Sequence, residues 1–525
     1  YIPLTELFSL VFDLPDLKLG EQRNQATAMN QYRDEINPII DVMSMVCGIE
    51  SLKTEIVNKG NSLIQQKAEK TTIEGTMIAI ENSTGYIDAL VGGSKYDKTN
   101  QFIRAVQAKL QPGSTFKPLY YSEAIESQKF TMTTIISDTP QVFHKEDGTP
   151  YIPQDFKGQW EGDVEFWYAL AHSMNVPSIK VLDTIGFDSA IKRTSALLGI
   201  PSNEFESRHF EPVYPLGLGV CSVRPIEVAK AYATIANRGK EVKPIAILSV
   251  EDKNGNIIFN PGKEQADAQK SRNGSKQILT EETAFIMQEI MKNTVASGTL
   301  RYGSDWDSTY WVTGKRKGRG NKFNFVNSNG KTFQMPVAGK TGTTQNWADA
   351  WAAGFTPYYT SVFWFGFDKP GQSLGLSITG STLAGVAWGD FMNAANKDKP
   401  YKPFYDEMPK DLIQLEVCTK SGGILTPECG SNRITAYYYP GTEPTEPCKK
   451  HTDDSGRTLG AARLQKAKIQ AGYSFDEGID DSPLMVDLSF LKSGKLSSEI
   501  RQEESEYELL QPQRNSDDFS NWLLD

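Results

Sequence analysis

Residues 335–368 read MPVAGKTGTTQNWADAWAAGFTPYYTSVFWFGFD and contain three apolar runs separated by short polar or Pro-containing turns. The runs are rich in Trp, Phe, Tyr and Val, which favour a pleated, half-buried surface. Each run is also short enough to be a strand rather than a long helix. The stretch therefore predicts three consecutive strands of an antiparallel sheet.

The surrounding sequence adds further strands and several helices. Residues 75–93 and 247–260 each contain two β-rich runs around a turn, ENSTGY in the first and an Asn-Gly pair in the second, which predicts two hairpins. Helical patterns dominate residues 114–237 and recur over 280–298 and 385–396. Little alternation of strand and helix is present, so we expect an α+β fold, an antiparallel β-sheet flanked by helices.

Composition and charge limit the classes of function. The chain has 525 residues, 23% of them charged, and a mean hydropathy of −0.43, as in ordinary soluble proteins of two to four domains. It begins at Tyr1 without a secretion signal, so we expect a processed or cut chain. Residues 471–525 hold 13 acidic and 4 basic side chains and so carry −9 of the net charge of −10. The basic surface of a nucleic-acid-binding protein is not expected.

The cysteines and histidines give no metal-binding pattern. No two cysteines form a Cys-x-x-Cys pair and the four histidines are scattered, so we expect neither a zinc site nor any other metal or organic cofactor. One disulfide among the three C-terminal cysteines remains open, depending on the redox compartment. The five cysteines are Cys47, Cys221, Cys418, Cys429 and Cys448.

The first candidate catalytic motif lies in KLQPGSTFKPLYY, residues 109–121. Pro112 and Gly113 interrupt the preceding structure, and Ser114 is predicted to cap a helix that follows. Positions i and i+3 share one helix face, so Lys117 would lie beside the Ser114 hydroxyl. A serine needs a base to become a nucleophile, and an amine serves when burial or a second cation lowers its pKa.

The second candidate motif is Ser173-Met174-Asn175, predicted as a short loop between helices. The Ser173 hydroxyl would relay a proton and the Asn175 amide would hold a substrate carbonyl. A simple capping motif before Pro177 is the alternative interpretation. His172 next to Ser173 also raises a Ser-His-Asp triad, but no Gly-x-Ser-x-Gly sequence accompanies it.

The third candidate motif is Lys340-Thr341-Gly342-Thr343, on a predicted edge strand. Lys340 supplies positive charge for a substrate carboxylate or for lowering the pKa of Lys117. Gly342 lacks a side chain, so another backbone can lie against the strand. The Gly-Lys-Thr sequence also ends a phosphate-binding loop, but that motif requires Gly at 334, where Gln334 stands.

The three motifs, separated by 59 and 167 residues, resemble the signature of penicillin-binding proteins and β-lactamases. The chain is similar to the transpeptidase domain of class A penicillin-binding proteins over roughly residues 72–400. The similarity extends to the stretches STGYIDALVGG, YPLGLGVCSVRPIEVAKAYATIANRGK and AGKTGTTQNWADAWAAGFTP, and to PGTEPTEPC near Cys448. It implies the transpeptidase fold of that family.

The resemblance implies acyl transfer on the D-Ala-D-Ala ends of peptidoglycan stem peptides, inhibited by β-lactams. It assigns the nucleophile to Ser114, the base to Lys117 and the proton relay to Ser173. Asn175 would bind the substrate amide. The remaining positions lie in the Lys-Thr-Gly motif. Lys340 and Thr341 would bind the terminal carboxylate of the substrate, and Gly342 and Thr343 would also contact the substrate. The backbone N–H groups of Ser114 and Thr343 would form the oxyanion hole.

The resemblance also implies an organisation and a location. We expect a helical linker over 1–70, a transpeptidase domain over 71–400, a C-terminal extension with short strands over 401–470 and an acidic, flexible tail over 471–525. No glycosyltransferase motif is found in residues 1–70. We expect an extracytoplasmic site at the bacterial inner membrane, cell-wall synthesis proteins as partners, and a membrane anchor in the full-length protein but not in this chain.

Two alternatives to a transpeptidase remain open. The first is a D,D-carboxypeptidase or β-lactamase-type hydrolase of the same fold, which passes the acyl group to water instead of an amine. The second is a non-catalytic sensor that binds lactams through the same site. The long segment between Ser173 and Lys340 favours a wall-building enzyme over a compact lactam hydrolase.

Overall fold

The computed structural model describes residues 72–96, 100–145, 148–153, 160–270, 275–305, 321–368, 372–375 and 378–451. The linker expected over 1–70 and the tail expected over 471–525 lie outside these residues. None of the helices within the described ranges has the length and apolarity needed to cross a bilayer.

The described residues form fifteen strands and ten α-helices. The strands are β1 (Glu74–Glu81), β2 (Ile87–Val91), β3 (Ile135–Asp138), β4 (Phe143–His144), β5 (Pro150–Tyr151), β6 (Gly162–Glu165), β7 (Val250–Glu251), β8 (Ile257–Phe259), β9 (Asn324–Val326), β10 (Thr332–Gln334), β11 (Ala338–Thr343), β12 (Ala350–Phe355), β13 (Tyr359–Gly366), β14 (Ile413–Cys418) and β15 (Arg433–Tyr438). The helices are α1 (Arg104–Gln107), α2 (Lys117–Glu126), α3 (Phe166–Ala171), α4 (Asn175–Ile185), α5 (Phe187–Leu198), α6 (Pro225–Ala236), α7 (Pro261–Lys270), α8 (Glu281–Ala296), α9 (Arg301–Asp305) and α10 (Gly385–Asn396).

The main sheet has five antiparallel strands in the order β11-β12-β13-β1-β2. The three strands predicted from residues 335–368 are β11, β12 and β13, and the predicted hairpins are β1-β2 and β7-β8. The α+β prediction is therefore confirmed. β11 is an edge strand, as the sequence predicted for Lys340, which pairs with Ala353 of β12.

Both faces of this sheet are covered, because successive residues of each strand point to opposite sides. Trp351 and Ala353 of β12 join one core cluster, which includes residues of α2, α6 and α8. Ala350 and Ala352 join a second cluster on the other face, where α10 packs on β12 and β13. The edge strand β11 lies against α8 and against the turn that carries Ser114.

A smaller unit follows α10 and consists mainly of the β14-β15 hairpin. The Tyr438 hydroxyl lies 2.8 Å from the Thr133 hydroxyl, and Lys450 lies 3.3 Å from the Asp163 carboxylate. Gly422 packs so closely that an added Cβ would lie 2.5 Å from the Thr133 carbonyl oxygen. This unit is thus seated on the residues around β3 and β6.

The expected absence of a zinc site rested on sequence spacing, but four residues of this unit come together in the fold. The ligand atoms of Cys418, Cys429, Cys448 and His451 all lie within 4.8 Å of one another. Their separation in sequence hides this arrangement, since it arises from the hairpin and from a parallel bridge between Ile424 and Pro447. All three cysteines, like the distant Cys221, are free thiols.

Candidate active site

Ser114 lies on a 3₁₀ turn, Gly113–Phe116, that leads directly into α2. The prediction that Ser114 caps the helix is wrong: its side chain caps neither the turn nor α2, which begins at Lys117. The Ser114 carbonyl accepts the N–H of Lys117. Because a 3₁₀ helix repeats every three residues, the side chains of Ser114 and Lys117 lie one above the other.

The buried amine of Lys117 joins the first motif to the second. Its Nζ donates hydrogen bonds to the carbonyl oxygens of Ser173 and Met174, at 2.8 and 2.9 Å, and to Asn175 Oδ1 at 2.9 Å. Lys117 has no solvent exposure. These bonds offset the desolvation of a polar group and hold the amine in one position. Ser114, three residues earlier, is half-buried.

A short connection between α3 and α4 is present, as predicted, but it comprises residues 172–174, and Asn175 is already the first residue of α4. Ser173 has φ of +62°, a left-handed conformation that is uncommon for a residue other than glycine. Its N–H donates to the Leu170 carbonyl and that of Met174 donates to Ala169, which fixes the turn. Met174 is the residue that precedes α4, and no side chain caps the start of this helix. The Ser173 hydroxyl and the Asn175 amide are therefore not helix caps.

The third motif is buried in edge strand β11 next to the other two. Lys340 Nζ donates to the Thr341 carbonyl at 3.0 Å. Burial lowers the pKa of Lys340 well below its ordinary value, and the positive charge of Lys117 lowers that pKa further. The two amines therefore lie near enough for their charges to interact.

Glycines allow the backbones of the first and third motifs to meet. A Cβ on Gly342 would lie 2.4 Å from the Pro112 carbonyl oxygen, and one on Gly113 would lie 2.9 Å from the Thr343 carbonyl oxygen. Gly113 also has φ of +54°, which a side chain would disfavour. The backbone that lies against Gly342 is therefore the protein's own Pro112–Thr115 segment. The sequence predicted that a backbone could lie there but not which one.

Several residues that support the site were missed from the sequence. Thr341 Oγ1 donates to Thr299 Oγ1 at 2.6 Å, and the Gly380 N–H donates to Thr343 Oγ1 at 3.0 Å. Thr299 follows α8 in ASGTLR, with no signal beyond its position after a helix end. The only indication for Gly380 in the sequence is that the residue is glycine. A side chain would not fit there, because an added Cβ would lie 2.3 Å from the Gly342 carbonyl oxygen.

His172 is a packing residue, as the absence of a nucleophile-elbow sequence suggested. Its ring stacks on Tyr168 with centroids 3.8 Å apart, and Nδ1 lies 3.1 Å from the Tyr168 carbonyl oxygen. Burial lowers the pKa of His172, and the charge of Lys340 lowers it as well. A neutral imidazole beside the site adds no second positive charge near Lys340.

Comparison with known proteins matches this geometry to one family. The penicillin binding protein transpeptidase domain matches residues 75–382, and the C-terminal domain of penicillin-binding protein 1A matches residues 408–453. The first match covers Ser114, Lys117, Ser173, Asn175 and Lys340. The second covers the β14-β15 hairpin and the cysteine cluster.

Individual relatives agree with the family match. The chain is 29% identical to penicillin-binding protein 1A of Aquifex aeolicus over 376 residues, 72% of this chain and 45% of the relative. It is 32% identical to penicillin-binding protein 2D of Bacillus subtilis over 401 residues, 76% of this chain and 50% of the relative. The chain thus spans about half the length of these relatives.

A solved structure shares the fold. The crystal structure of penicillin-binding protein 1A from Haemophilus influenzae superimposes with a TM-score of 0.57 over 71% of this chain and 54% of that chain, at 24% identity. A likeness at this identity shows the fold alone. Together with the family match over more than half of its residues, it leads to one conclusion: the chain belongs to the penicillin-binding proteins with a transpeptidase domain.

Proposed function

We propose that this chain is a serine-type D,D-transpeptidase that cross-links peptidoglycan stem peptides through an acyl-enzyme on Ser114. The observation that carries the proposal is the position of the Lys117 amine. Lys117 follows Ser114 by one 3₁₀ turn, and its amine is bonded at 2.8 to 2.9 Å to the Ser173–Asn175 segment. One amine therefore fixes the first motif to the backbone of Ser173 and to the amide of Asn175, which brings the groups that acyl transfer needs into one region.

The first half-reaction forms the acyl-enzyme. Lys117 takes the Ser114 hydroxyl proton as Oγ attacks the carbonyl carbon of the penultimate D-Ala. The tetrahedral intermediate then collapses, and the bond from that carbon to the nitrogen of the terminal D-Ala breaks. The proton passes from Lys117 through the Ser173 hydroxyl to the leaving amine, and free D-Ala departs.

The second half-reaction transfers the acyl group. The amine of another stem peptide attacks the Ser114 ester, its proton returns through the same groups, and Ser114 leaves with its hydroxyl restored. Water in place of the amine would make the enzyme a carboxypeptidase. Because no group unique to either acceptor is assigned, the acceptor is an outcome of the experiment below.

The two buried lysines divide the proton between them. Burial lowers the pKa of Lys340, and the charge of Lys117 lowers that pKa too. A substrate carboxylate bound by Lys340 and Thr341 would favour the proton on Lys340. Lys117 would then be neutral, which is the state that a general base requires.

The remaining assignments concern the charge that develops on the substrate. The N–H groups of Ser114 and Thr343 would donate to the oxyanion, and the close approach of Gly113 to Thr343 supports this pairing. Asn175 would hold the substrate amide while retaining its contact with Lys117. Gly342 would contribute to substrate binding by letting β11 lie directly against the Pro112–Thr115 segment, next to the substrate.

The test is acylation followed by transfer. Intact mass spectrometry of the purified chain should show one covalent penicillin adduct, and Ser114→Ala should abolish it. Ser127→Ala is the matched control, because Ser127 is an exposed serine at the other end of α2. An adduct that survives Ser114→Ala would refute the assignment of the nucleophile.

Transfer is measured separately with a D-Ala-D-Ala stem peptide and an amine acceptor. Cross-linked product supports the transpeptidase, and release of D-Ala with hydrolysed peptide alone indicates the carboxypeptidase. Rapid turnover of nitrocefin indicates the lactamase, whereas a stable adduct with no peptide chemistry indicates a lactam sensor.

The wider setting is part of the same proposal. The substrates would be stem peptides, the inhibitors β-lactams and the partners other cell-wall synthesis proteins. The chain would work on the extracytoplasmic side of the bacterial inner membrane. Cell fractionation of the full-length protein, followed by labelling with a fluorescent penicillin, tests the location.

A further inference from the structure

We propose that Cys418, Cys429, Cys448 and His451 bind one Zn²⁺ ion, which fastens the C-terminal unit together. The four residues come from three separate places in that unit. Cys418 ends β14, Cys429 ends the 3₁₀ turn Pro427–Cys429, and Cys448 and His451 lie beyond the second strand of the hairpin. The proposal is independent of the acyl-transfer activity, because it rests on none of the residues assigned to acyl transfer.

The spacing of the ligand atoms fits one metal ion. The three Sγ atoms and the histidine ring nitrogen all lie within 4.8 Å of one another. Tetrahedral Zn²⁺, with bonds of about 2.3 Å to sulfur and about 2.0 Å to nitrogen, requires ligand separations of roughly 3.5 to 3.8 Å. The observed cluster therefore closes around an ion with a small inward movement of the side chains.

Burial and hydrogen bonding single out the same four residues. Cys418 and Cys429 have no solvent exposure and Cys448 has 3%. His451 Nε2 is buried without a hydrogen-bond partner among the residues that the structure describes. A buried imidazole nitrogen without a partner is costly, and coordination to a metal would satisfy it.

Backbone donors are directed at two of the sulfur atoms. The Lys420 N–H donates to Cys418 Sγ at 3.4 Å, and the Thr426 N–H donates to Cys429 Sγ at 3.4 Å. The Thr426 hydroxyl lies 3.5 Å from the same Cys429 sulfur. Donors of this kind stabilise thiolates and orient metal ligands, so they fit a metal centre better than they fit neutral thiols in an apolar core.

The ligand set selects the metal and argues against a disulfide. Three thiolates and one imidazole form a closed, four-coordinate set of the structural zinc type, and they leave no position for a substrate. Hard cations such as Ca²⁺ and Mg²⁺ prefer oxygen ligands. A disulfide would join two of the sulfurs and leave the third thiol and His451 without a function.

The proposed ion has a structural consequence for the rest of the chain. The segment between Cys418 and Cys429 contains Gly422, which packs on Thr133, and Lys450 lies between two of the ligands in sequence and pairs with Asp163. Thr133 precedes β3, and Asp163 lies in β6, which leads into α3 and the Ser173 turn. Zinc would therefore hold the C-terminal unit against β3 and β6, the strands next to the helix α3 that leads to the second motif.

The experiment uses the whole chain, purified under reducing conditions. Elemental analysis should find about one zinc per chain. Replacement of zinc by Co²⁺ should give the thiolate-to-metal charge-transfer band and visible d–d bands of tetrahedral cobalt. A reduced wild-type chain that carries no zinc and gives no such cobalt spectrum overturns the proposal. So does a chain whose mass reveals a Cys–Cys bond and whose reduction restores no metal binding.

Variants assign the ligands. His451→Ala and Cys429→Ser should each weaken zinc binding by more than the roughly 10- to 100-fold that loss of a supporting contact causes, and His451→Cys should retain a tetrahedral cobalt spectrum. Cys221→Ser is the control, since Cys221 is buried in the main core away from the cluster. Equal metal binding by His451→Ala and wild type would remove His451 from the site.

Discussion

Lys117 Nζ lies 2.9 Å from Asn175 Oδ1, although 58 residues separate the two in sequence. The contact joins the start of α2 to the start of α4, and the turn containing Ser173 lies between α3 and α4. The Asn175 amide oxygen and two backbone carbonyls together define the position of the amine. The site is therefore built where the N-termini of two helices meet, with the Ser114 turn packed on edge strand β11.

Replacing Asn175 by Ala should slow acylation more than it affects stability. The change removes one acceptor from the Lys117 amine and, in the proposed function, one contact to the substrate amide. We expect penicillin acylation to slow by about 100- to 1000-fold, the usual effect of losing one positioned polar group. Stopped-flow acylation with thermal unfolding measures both quantities.

The control for that change is Asn203→Ala, an exposed asparagine on a short 3₁₀ turn. We expect its acylation rate to equal that of the wild type. If Asn175→Ala acylates at the wild-type rate, the amide does not position Lys117 and the proposed role of Asn175 is wrong.

Replacing Gly342 by Ala should displace β11 from the serine turn. The new Cβ would lie 2.4 Å from the Pro112 carbonyl oxygen, which belongs to backbone and cannot rotate away. We expect a loss of about 1 to 3 kcal/mol of unfolding free energy, as for an overpacked core, together with slower acylation. Urea denaturation and acylation kinetics measure the two effects.

Gly330→Ala is the matched control, because it replaces a glycine without creating a steric clash. Gly330 has φ of +75° with nothing within 4 Å of an added Cβ. We expect only the backbone strain of about 1 kcal/mol and no change in acylation. Wild-type acylation by Gly342→Ala would contradict the close packing of β11 on the Ser114 turn.

The fold could be predicted from local patterns because these patterns reflect burial on a sheet. In residues 335–368, β12 is apolar over its whole length and β13 over most of it, since helices cover both faces, and the turns between the strands carry polar residues or Pro. The helix start at Ser114 was predicted wrongly. Pro-Gly followed by Ser matches a helix cap, but contacts of Gly113 with Thr343 and Gly219 hold the segment as a 3₁₀ turn instead.

The three candidate motifs could be identified from the sequence, but their proximity in the fold could not be predicted from it. The contact between Lys117 and Asn175 depends on how α2 and α4 pack, which no short pattern encodes. The cysteine cluster was missed for a related reason. Only Cys448 and His451 are closely spaced in sequence, as Cys-x-x-His, whereas Cys418 and Cys429 become their neighbours only after folding.

Arg104→Ala should be strongly destabilising. Arg104 is 2% exposed and donates to both Asp368 carboxylate oxygens, at 2.6 and 2.5 Å, while Glu74 lies 3.5 Å away. Removal of the guanidinium would leave the buried Glu74 carboxylate without this charge partner. We expect a loss of about 3 to 5 kcal/mol in unfolding free energy, measured by urea denaturation.

The matched control is Arg433→Ala, which removes an exposed arginine 3.8 Å from Glu416. Exposed pairs contribute less than about 1 kcal/mol, so little change is expected. Similar losses for both variants would mean that burial of the Arg104 network adds nothing to stability.

Glu165→Gln should make the protein more stable, and more so at high pH. Burial raises the pKa of Glu165 to about 7, although a hydrogen bond from Trp167 Nε1 opposes the shift. Between pH 4.5 and 7 the folded state holds this proton more tightly than the unfolded state does. Stability due to this group is therefore present at low pH and is lost as pH rises through 7.

The size of the Glu165 effect follows from the shift. The change from an ordinary 4.5 to about 7 corresponds to a loss of roughly 3 kcal/mol in the wild type above pH 7. Glutamine carries no charge and can still accept from Trp167, so Glu165→Gln should be more stable than wild type at pH 8 and similar to it at pH 4.5. Urea denaturation at both pH values, with exposed Glu206→Gln as the charge control, measures the difference. An equal gap between wild type and Glu165→Gln at the two pH values would show that Glu165 does not titrate on unfolding.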